Sequence, residues 1–238
     1  MARVFPSTQE QLEKIQWIAQ HPADIVIGID EVGLGAWAGP VVVGGVVLQK
    51  DWRHPLCRDS KSLSASQRVK ALQVIQESWL AAIVVGMEAT DVDQIGVDKA
   101  VQQLTIQVAT SLLHLYPKAI VVQDGSVPSF LPGEETHNVV WMPRADQQVA
   151  AVSAASILAK VMRDDDMDNY DEVFPGYAFK SNKGYHSADH VAGLEKRGPT
   201  PIHRFSYKPI RSYVVESEAW QSPRRKTGIN VWTSYPAQ

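Results

Sequence analysis

Cysteine is almost missing from the 238 residues: Cys57 stands alone, so no intramolecular disulfide can form and a reducing compartment is expected. No apolar run approaches the roughly 20 residues that span a bilayer, and the N-terminus has no signal-peptide core. A cytoplasmic protein with no membrane partner is the natural reading. A strong charge of either sign is also lacking. The formal net charge of -3 excludes global attraction to nucleic acid, so any such partner must meet a local basic surface. There is no internal repeat and no low-complexity tract. What is left, with 45% hydrophobic and 21% charged residues, has the composition of one large globular domain with a substantial core.

The most informative stretch is ADIVIGIDEVGLGAWAGPVVVGGVVL, residues 23 to 48. A β-branched run, Ile25 to Ile29, reaches the adjacent carboxylates Asp30 and Glu31. It then passes through Gly33, Gly35, Gly39 and Pro40 into a second apolar run, Val41 to Leu48. This predicts a buried strand, a glycine-rich turn and a second strand. Two acids closing an apolar strand are costly unless a metal, a base or water satisfies them. A solvated turn with incidental acids is the bland alternative for any lone Asp-Glu pair. Gly33, Gly35 and Ala38 also fit a loose dinucleotide fingerprint, but Pro40 and a valine-rich strand follow where a helix should open.

Around this stretch the chain alternates helices and strands. Ser7 with Glu10, and Ser64 with Gln67, have capping-box spacing and predict two helix starts. In the first helix Leu12, Ile15 and Ile18 follow near helical spacing. In the second, Val69, Leu72, Ile75 and Trp79 are expected to face inward. Ala81 to Met87 reads as a third strand, antiparallel to the second. Val97, Val101, Leu104, Val108 and Leu112 mark the clearest helix of the chain. Two more short strands follow, Ala119 to Gln123 and Asn138 to Met142. The first ends in Asp124-Gly125, and the second is followed by Asp146. A long helix, rich at its start in Ala and Ser, runs from Val149 to about Asn169.

Taken singly, Asp124 is an Asp-Gly turn and Asp146 a helix-capping residue. Acids recurring at the ends of three strands are more telling, because open α/β sheets place their chemistry there. Asp30, Glu31, Asp124 and Asp146 offer only oxygen donors, which favours magnesium or manganese over zinc. Two such ions could activate water for phosphodiester hydrolysis. Between residues 180 and 211, seven basic residues (Lys180, Lys183, Lys196, Arg197, Arg204, Lys208, Arg211) stand against Asp189 and Glu195, with Tyr185 and Tyr207 among them. That pattern suits a surface that follows phosphates and packs on sugars or bases, or else a merely solvated basic segment. His186 and His190 have i, i+4 spacing but lack the glutamate of a zinc-protease helix, so surface positions are expected for both. The acidic run Asp164, Asp165, Asp166 and Asp168 reads first as a solvated face.

Seven stretches in order, GIDEVGLGAWAGP, DSKSLS, QDG, ADQQVAAVSAASILAKVMRD, FPGYAF, NKGY and GPTPIHR, make the chain similar to bacterial ribonuclease HII over roughly residues 23 to 212. The resemblance implies an α/β ribonuclease H-like fold, a mixed five-stranded sheet flanked by helices with a helical C-terminal part. It implies metal-binding roles for Asp30, Glu31, Asp124 and Asp146, with two ions of Mg2+ or Mn2+ during catalysis. It implies substrate-binding roles for Gly33, Leu34, Gly35, Ser60, Lys61, Arg163 and Tyr185, the tyrosine packing at a junction between ribonucleotide and deoxyribonucleotide. Arg163 with Asp164 matches the family's arginine-aspartate pair. The expected substrate is an RNA/DNA hybrid or ribonucleotide-containing DNA, cut by a monomer to leave 3'-hydroxyl and 5'-phosphate ends.

Two positions depart from the family pattern. Leu34 lies between the glycines where Gly-Arg-Gly is usual, and Arg144-Ala145 precedes Asp146 where Lys-Gly is common. Both glycines remain, so backbone groups could still approach a 2'-hydroxyl, while the arginine's charge is lost. Two competing readings stay open on sequence grounds: a hybrid-binding protein with weak or no catalysis, and a DNA nuclease of the same fold such as a junction resolvase. The expected division is an N-terminal helical extension (1–22), a catalytic core (23–170), a basic helical substrate-binding part (171–213) and a polar tail (214–238) whose composition permits disorder.

Overall fold

The computed structural model describes residues 8–57, 60–125, 138–214 and 230–235. Helix α1 (Thr8–Gln20) leads into strands β1 (Ile25–Val32) and β2 (Val41–Gln49), followed by α2 (Ala65–Gln76), β3 (Ala81–Met87), α3 (Ala89–Ile95) and α4 (Val97–Leu115). Strands β4 (Ile120–Asp124) and β5 (Asn138–Met142) precede the long α5 (Ala150–Val173), and α6 (Phe179–Asn182), α7 (Ala188–Arg197) and α8 (Lys208–Val214) complete the helices. The strands lie in the order β5-β4-β1-β2-β3-β6, β6 being Asn230–Tyr235. The five expected strands form the mixed sheet: β1, β2 and β3 are antiparallel neighbours, and β4 and β5 run parallel with β1.

Both faces of this sheet are covered, so its strands read as nearly continuous apolar runs rather than alternating ones. On one face Val26, Val46, Val84 and Val122 pack with Ile75 of α2 and Ala155 and Leu158 of α5. On the other, Ile27, Ile29, Val43 and Val121 pack with Leu104, Val108 and Leu112 of α4. A third apolar cluster, which includes Ala38, Met167, Phe179, Leu194 and Ile210, binds the C-terminal helices to the glycine-rich turn and the second half of α5.

The Ala- and Ser-rich start of α5 lets it approach the sheet to backbone contact. A Cβ added at Gly28 would lie 2.0 Å from the carbonyl carbon of Ala151, and one at Gly44 would lie 2.8 Å from the oxygen of Ala155. Backbone atoms cannot yield as a flexible side chain can, so this helix is locked in register over β1 and β2.

Two expectations need correction, and one short helix was not foreseen. Val69 is 47% exposed, while Ala71, Leu72 and Ile75 carry the inner face of α2. The turn from β3 into α4 contains its own short helix, α3, which the sequence patterning did not suggest. The tail, read as polar with a composition that permits disorder, supplies β6, which pairs antiparallel with β3 across a register shift at Val84/Val85. Short strands of mixed composition carry little periodicity, and an edge strand needs none on its open side. The capping box at Ser64 and Gln67 is formed in both directions, whereas Ser7 lies outside the described residues.

The close approach at Gly28 makes a direct prediction. Gly28→Ala should lower unfolding free energy by about 1–3 kcal/mol, the usual cost of overpacking, in urea titrations. A change within experimental error would show that α5 can move away from the sheet.

Candidate active site

Strand pairing brings the acids together. Because β1 and β4 are parallel with Ile29 opposite Gln123, the next residues, Asp30 and Asp124, leave neighbouring strands at the same level. Their positions follow Val26 and Val122 in the two-residue alternation, which points both toward the α5 face. Asp146 reaches them from a 3-10 turn, Ala145–Gln147, that joins β5 to α5. The backbone N–H of Ala145 donates to Asp124 Oδ1 at 2.8 Å, tying this turn to the end of β4. Asp146 is therefore not the cap of α5, whose N-cap is Val149. Glu31, on the opposite pleat at the end of β1, is half-buried, while Asp30 is 6% and Asp146 3% exposed.

The electrostatics of this cluster are unfavourable to its own charges. Burial pushes the Asp30 carboxyl well above the usual carboxylate range. The charges of Glu31 and Asp124 push it further, Asp146 adds less, and a hydrogen bond from Ser156 offsets only part. Asp30 Oδ1 also accepts from the Glu31 N–H at 2.8 Å. Asp124 is raised by burial as well, countered by the Ala145 N–H and by the Lys61 ammonium. Among the described residues, no three carboxylate, imidazole or thiolate side chains already stand at the spacing of a coordination shell. The donor set fits a hard divalent cation in its chemistry, because it is all oxygen and its mutual repulsion is what such a charge neutralises.

The expected substrate-binding residues divide into two groups. Gly35 and Lys61 are exposed, and nothing lies within 4 Å of a Cβ placed on Gly35, so this edge of the glycine-rich turn is open. Tyr185 is partly exposed, its ring within 5.3 Å of the Arg163 guanidinium and 5.9 Å of Lys160 Nζ. The others face inward. Ser60 is 4% exposed and its hydroxyl lies 2.9 Å from that of Ser156, so Ser60, Ser156 and Asp30 form a hydrogen-bonded chain. Arg163 is fully buried and donates to the carbonyls of Pro40 (2.9 Å), Lys183 (2.9 Å) and Ala38 (3.2 Å). Burial lowers its pKa to about 10. It fastens the glycine-rich turn beneath Tyr185 and leaves no face for a substrate. Asp164 pairs with Lys160 (2.6 Å) and with Arg68 of α2 (3.2 Å).

Gly33, at φ 95°, could not carry a side chain, since its Cβ would lie 2.5 Å from Arg163 Nε. Leu34 presents its carbonyl inward, where it accepts from Arg204 Nη1 at 3.0 Å and from the Tyr207 hydroxyl. Arg204, counted by sequence in the basic surface, is fully buried and also donates twice to Gly39 O. His190 is fully buried as well, against the surface position expected for it, while His186 is exposed. Ser156 and Lys160 were not singled out by the sequence, and Arg204 and Tyr207 were expected only as part of the basic surface. Ser156, Lys160 and Arg163 lie at i, i+4 and i+7 on one face of α5, a spacing that could have marked them.

A pH dependence follows from Asp30. Its folded pKa is raised, so the folded state holds the proton to a higher pH than the unfolded chain. Stability should fall as pH rises from about 4, the unfolded carboxylate value, up through that raised value. In chelator at pH 8, Asp30→Asn should raise Tm by about 2–4 °C, the effect of ~1 kcal/mol in a chain of this size, and the gain should vanish at pH 4. Calorimetry at both pH values checks this, and a lower Tm at pH 8 would refute the repulsion.

Comparison with known proteins agrees with this geometry. The family model described as Ribonuclease HII matches residues 27–210. A Ribonuclease HII of Thermus thermophilus is 42% identical over 186 residues, covering 78% of this chain and 87% of that protein. The ribonuclease H2 of Pyrococcus horikoshii OT3 superposes with a TM-score of 0.63 at 23% identity, over 79% of this chain and 96% of that one. Bst-RNase HIII in complex with Mn2+ gives 0.64 at 17%, over 83% and 71%. These last two speak to the fold. With a sheet whose strand ends gather four acids, and a family match across most of its length, the chain belongs to the ribonuclease HII family, endoribonucleases that hydrolyse RNA in RNA/DNA hybrids.

Proposed function

We propose that Asp30, Glu31, Asp124 and Asp146 hold two divalent ions, Mg2+ or Mn2+, and that the exposed rim of the glycine-rich turn, Lys61 and Tyr185 bind the strand to be cut. The observation that carries this is Asp30, a carboxylate whose pKa is raised first by burial and then by three neighbouring acids drawn from β1, β4 and the turn before α5. A protein keeps so strained an arrangement where function uses it. The bound ions would lower the pKa of a water and neutralise charge on the leaving oxygen.

The chain's own residues supply orientation and selection. Ser156 and the Ala145 N–H hold Asp30 and Asp124 in fixed rotamers, so little ordering remains to be done when substrate arrives. Lys61, close enough to act on Asp124 and exposed, is placed to meet a phosphate beside the acids. Gly35 leaves room for a sugar edge, and the 2'-hydroxyl there distinguishes RNA from DNA. The Tyr185 ring, backed by the Arg163 guanidinium, offers a flat face on which a deoxyribose or base can pack. Exposed Lys180, Lys196, Arg197, Lys208 and Arg211 extend a positive surface along the C-terminal helices. Hydrolysis adds water across the phosphodiester, breaking the bond to the 3'-oxygen and leaving 3'-hydroxyl and 5'-phosphate ends. DNA holding a single ribonucleotide is a second substrate on this reading, because Tyr185 addresses the deoxyribonucleotide side of the junction.

The test is cleavage of two labelled duplexes, a full RNA/DNA hybrid and DNA with one ribonucleotide, in Mg2+ and in Mn2+. Both should be cut, with no cutting in chelator or of all-DNA duplex, and Asp30→Asn should lose on the order of 100-fold or more of kcat. Full activity of that variant would remove the acids from the chemistry. Because the Leu34 carbonyl, not its side chain, is clamped by Arg204 and Tyr207, Leu34→Arg should keep the loop in place and restore a cation. Its rate on the single ribonucleotide relative to the hybrid should rise about tenfold or more, the worth of one charged hydrogen bond. An unchanged ratio would mean that residue 34 does not set junction preference.

A further inference from the structure

Two histidines that the chemistry above does not use are joined inside the third apolar cluster. His190, near the start of α7, and His203, in the GPTPIHR stretch, are both fully buried, with their Nε2 atoms 3.0 Å apart. Their outer nitrogens are also engaged. His203 Nδ1 lies 2.9 Å from both the backbone nitrogen and the hydroxyl oxygen of Thr200; the hydroxyl can play either part, but the N–H can only donate, which makes Nδ1 the acceptor. His190 Nδ1 lies 2.9 Å from the carbonyl oxygen of Tyr185, which can only accept.

These end points fix both tautomers. His203 accepts at Nδ1 and must carry its proton on Nε2, from which it donates to His190 Nε2. His190 then carries its proton on Nδ1 and donates it to Tyr185. The result is one directed chain from the Thr200 N–H to the Tyr185 carbonyl, with every ring nitrogen satisfied and both rings neutral. Burial holds both imidazoles below their usual pKa, with His186 adding to the effect on His190 and His190 to that on His203, which falls to about 3, so the chain persists throughout the physiological range.

The far end of the chain matters because of what it holds. The Tyr185 N–H donates to Asn182 O at 2.9 Å, and the preceding carbonyl, of Gly184, accepts from the N–H groups of Trp37 (2.8 Å) and Ala38 (3.2 Å) in the glycine-rich turn. With its own carbonyl bound by His190, both peptide planes flanking the Tyr185 Cα are anchored, which sets the direction of its side chain. The indole of Trp37 also lies against the His190 ring, centroids 5.7 Å apart.

We propose that His190 and His203 are positioning residues for substrate selection: their hydrogen-bond chain aims the Tyr185 ring relative to the glycine-rich turn. This rests on Tyr185 as the residue that meets the substrate. The pair works as a rigid strut rather than a proton relay, and no proton leaves it.

The two side-chain amides separate the two bonds of His190. Asn places its amide where Nδ1 stands and can still donate to Tyr185, whereas Gln reaches the Nε2 position and keeps only the contact with His203. On DNA with a single ribonucleotide, His190→Gln should raise KM about three- to tenfold, the worth of one lost hydrogen bond, with kcat changed less than twofold. His190→Asn, which keeps the bond to Tyr185 but loses its backing by His203, should raise KM by a smaller factor, about two- to threefold, again with little change in kcat. Tyr185→Ala, measured beside them, isolates the underlying reading. If it leaves KM unchanged, Tyr185 does not meet the substrate and that reading fails. If it raises KM while the Gln and Asn variants behave alike, the strut itself is refuted. Should a variant fold poorly, the imidazole 15N shifts of the parent decide: neutral His190 protonated at Nδ1 and neutral His203 protonated at Nε2 are expected at pH 6. Any other tautomer or a charged ring overturns the proposal.

Discussion

Two buried guanidinium groups bonded to backbone carbonyls, rather than to carboxylates, hold the site in shape. Arg163 comes from α5 and Arg204 from the chain beyond α7, and between them they bind the carbonyls of Leu34, Ala38, Gly39 and Pro40. A glycine-rich turn has little side-chain packing of its own and much backbone freedom to lose. Its carbonyls, turned inward, would be unsatisfied without these donors. Arginine suits the task because its fork of five donors bonds several oxygens at once and its charge is spread over a plane that tolerates burial. Lysine could neither reach so many acceptors nor be buried as cheaply.

The same turn joins parts of the chain that are far apart in sequence. Backbone bonds link Trp37 and Ala38 to Gly184, Gly39 to Ile202, and Arg204 to Trp37. The surface proposed to select the substrate and the strand that carries Asp30 and Glu31 are thus successive stretches of one backbone, held by one set of bonds. The acids work in the opposite sense. They repel one another and raise the energy of the fold, so the interior around them must be stiff enough to keep them close. The backbone contact of α5 with Gly28 and Gly44 provides that stiffness on one side, and the Ala145 N–H on Asp124 provides it on another.

Much of this was legible in the sequence, for identifiable reasons. The strands and helices near the acids are buried on both sides or along a long stripe, so periodicity and composition report them directly: β1 through β5 and α4 fall where patterning puts them. The acids at strand ends showed themselves because a carboxylate at the end of an apolar run is a local contradiction. Burial of polar residues was not legible. Ser60, Arg163, His190 and Arg204 are inside because partners more than twelve residues away satisfy them, and nothing in their own neighbourhood says so. Val69 erred in the other direction, an apolar residue at the right spacing beside an inner face already filled by smaller neighbours. The family resemblance nominated candidate site residues, but only the geometry separates those that face outward, such as Lys61 and Gly35, from those that are buried behind them.

The sixth strand has a bearing on the behaviour of the protein in solution. Every residue of β3 is buried, and its sequence, AAIVVGM, has no charge and no proline, the character of a segment that templates association when its edge is bare. Strand β6 occupies the outer edge of β3 with backbone pairing from Ala82 to Gly86. It lies at the far side of the sheet, separated by β3 and β2 from the β1 acids. The tail therefore acts as a selvedge: with two strands between it and the acids of β1, it covers an apolar strand edge that would otherwise be free to meet another copy of itself.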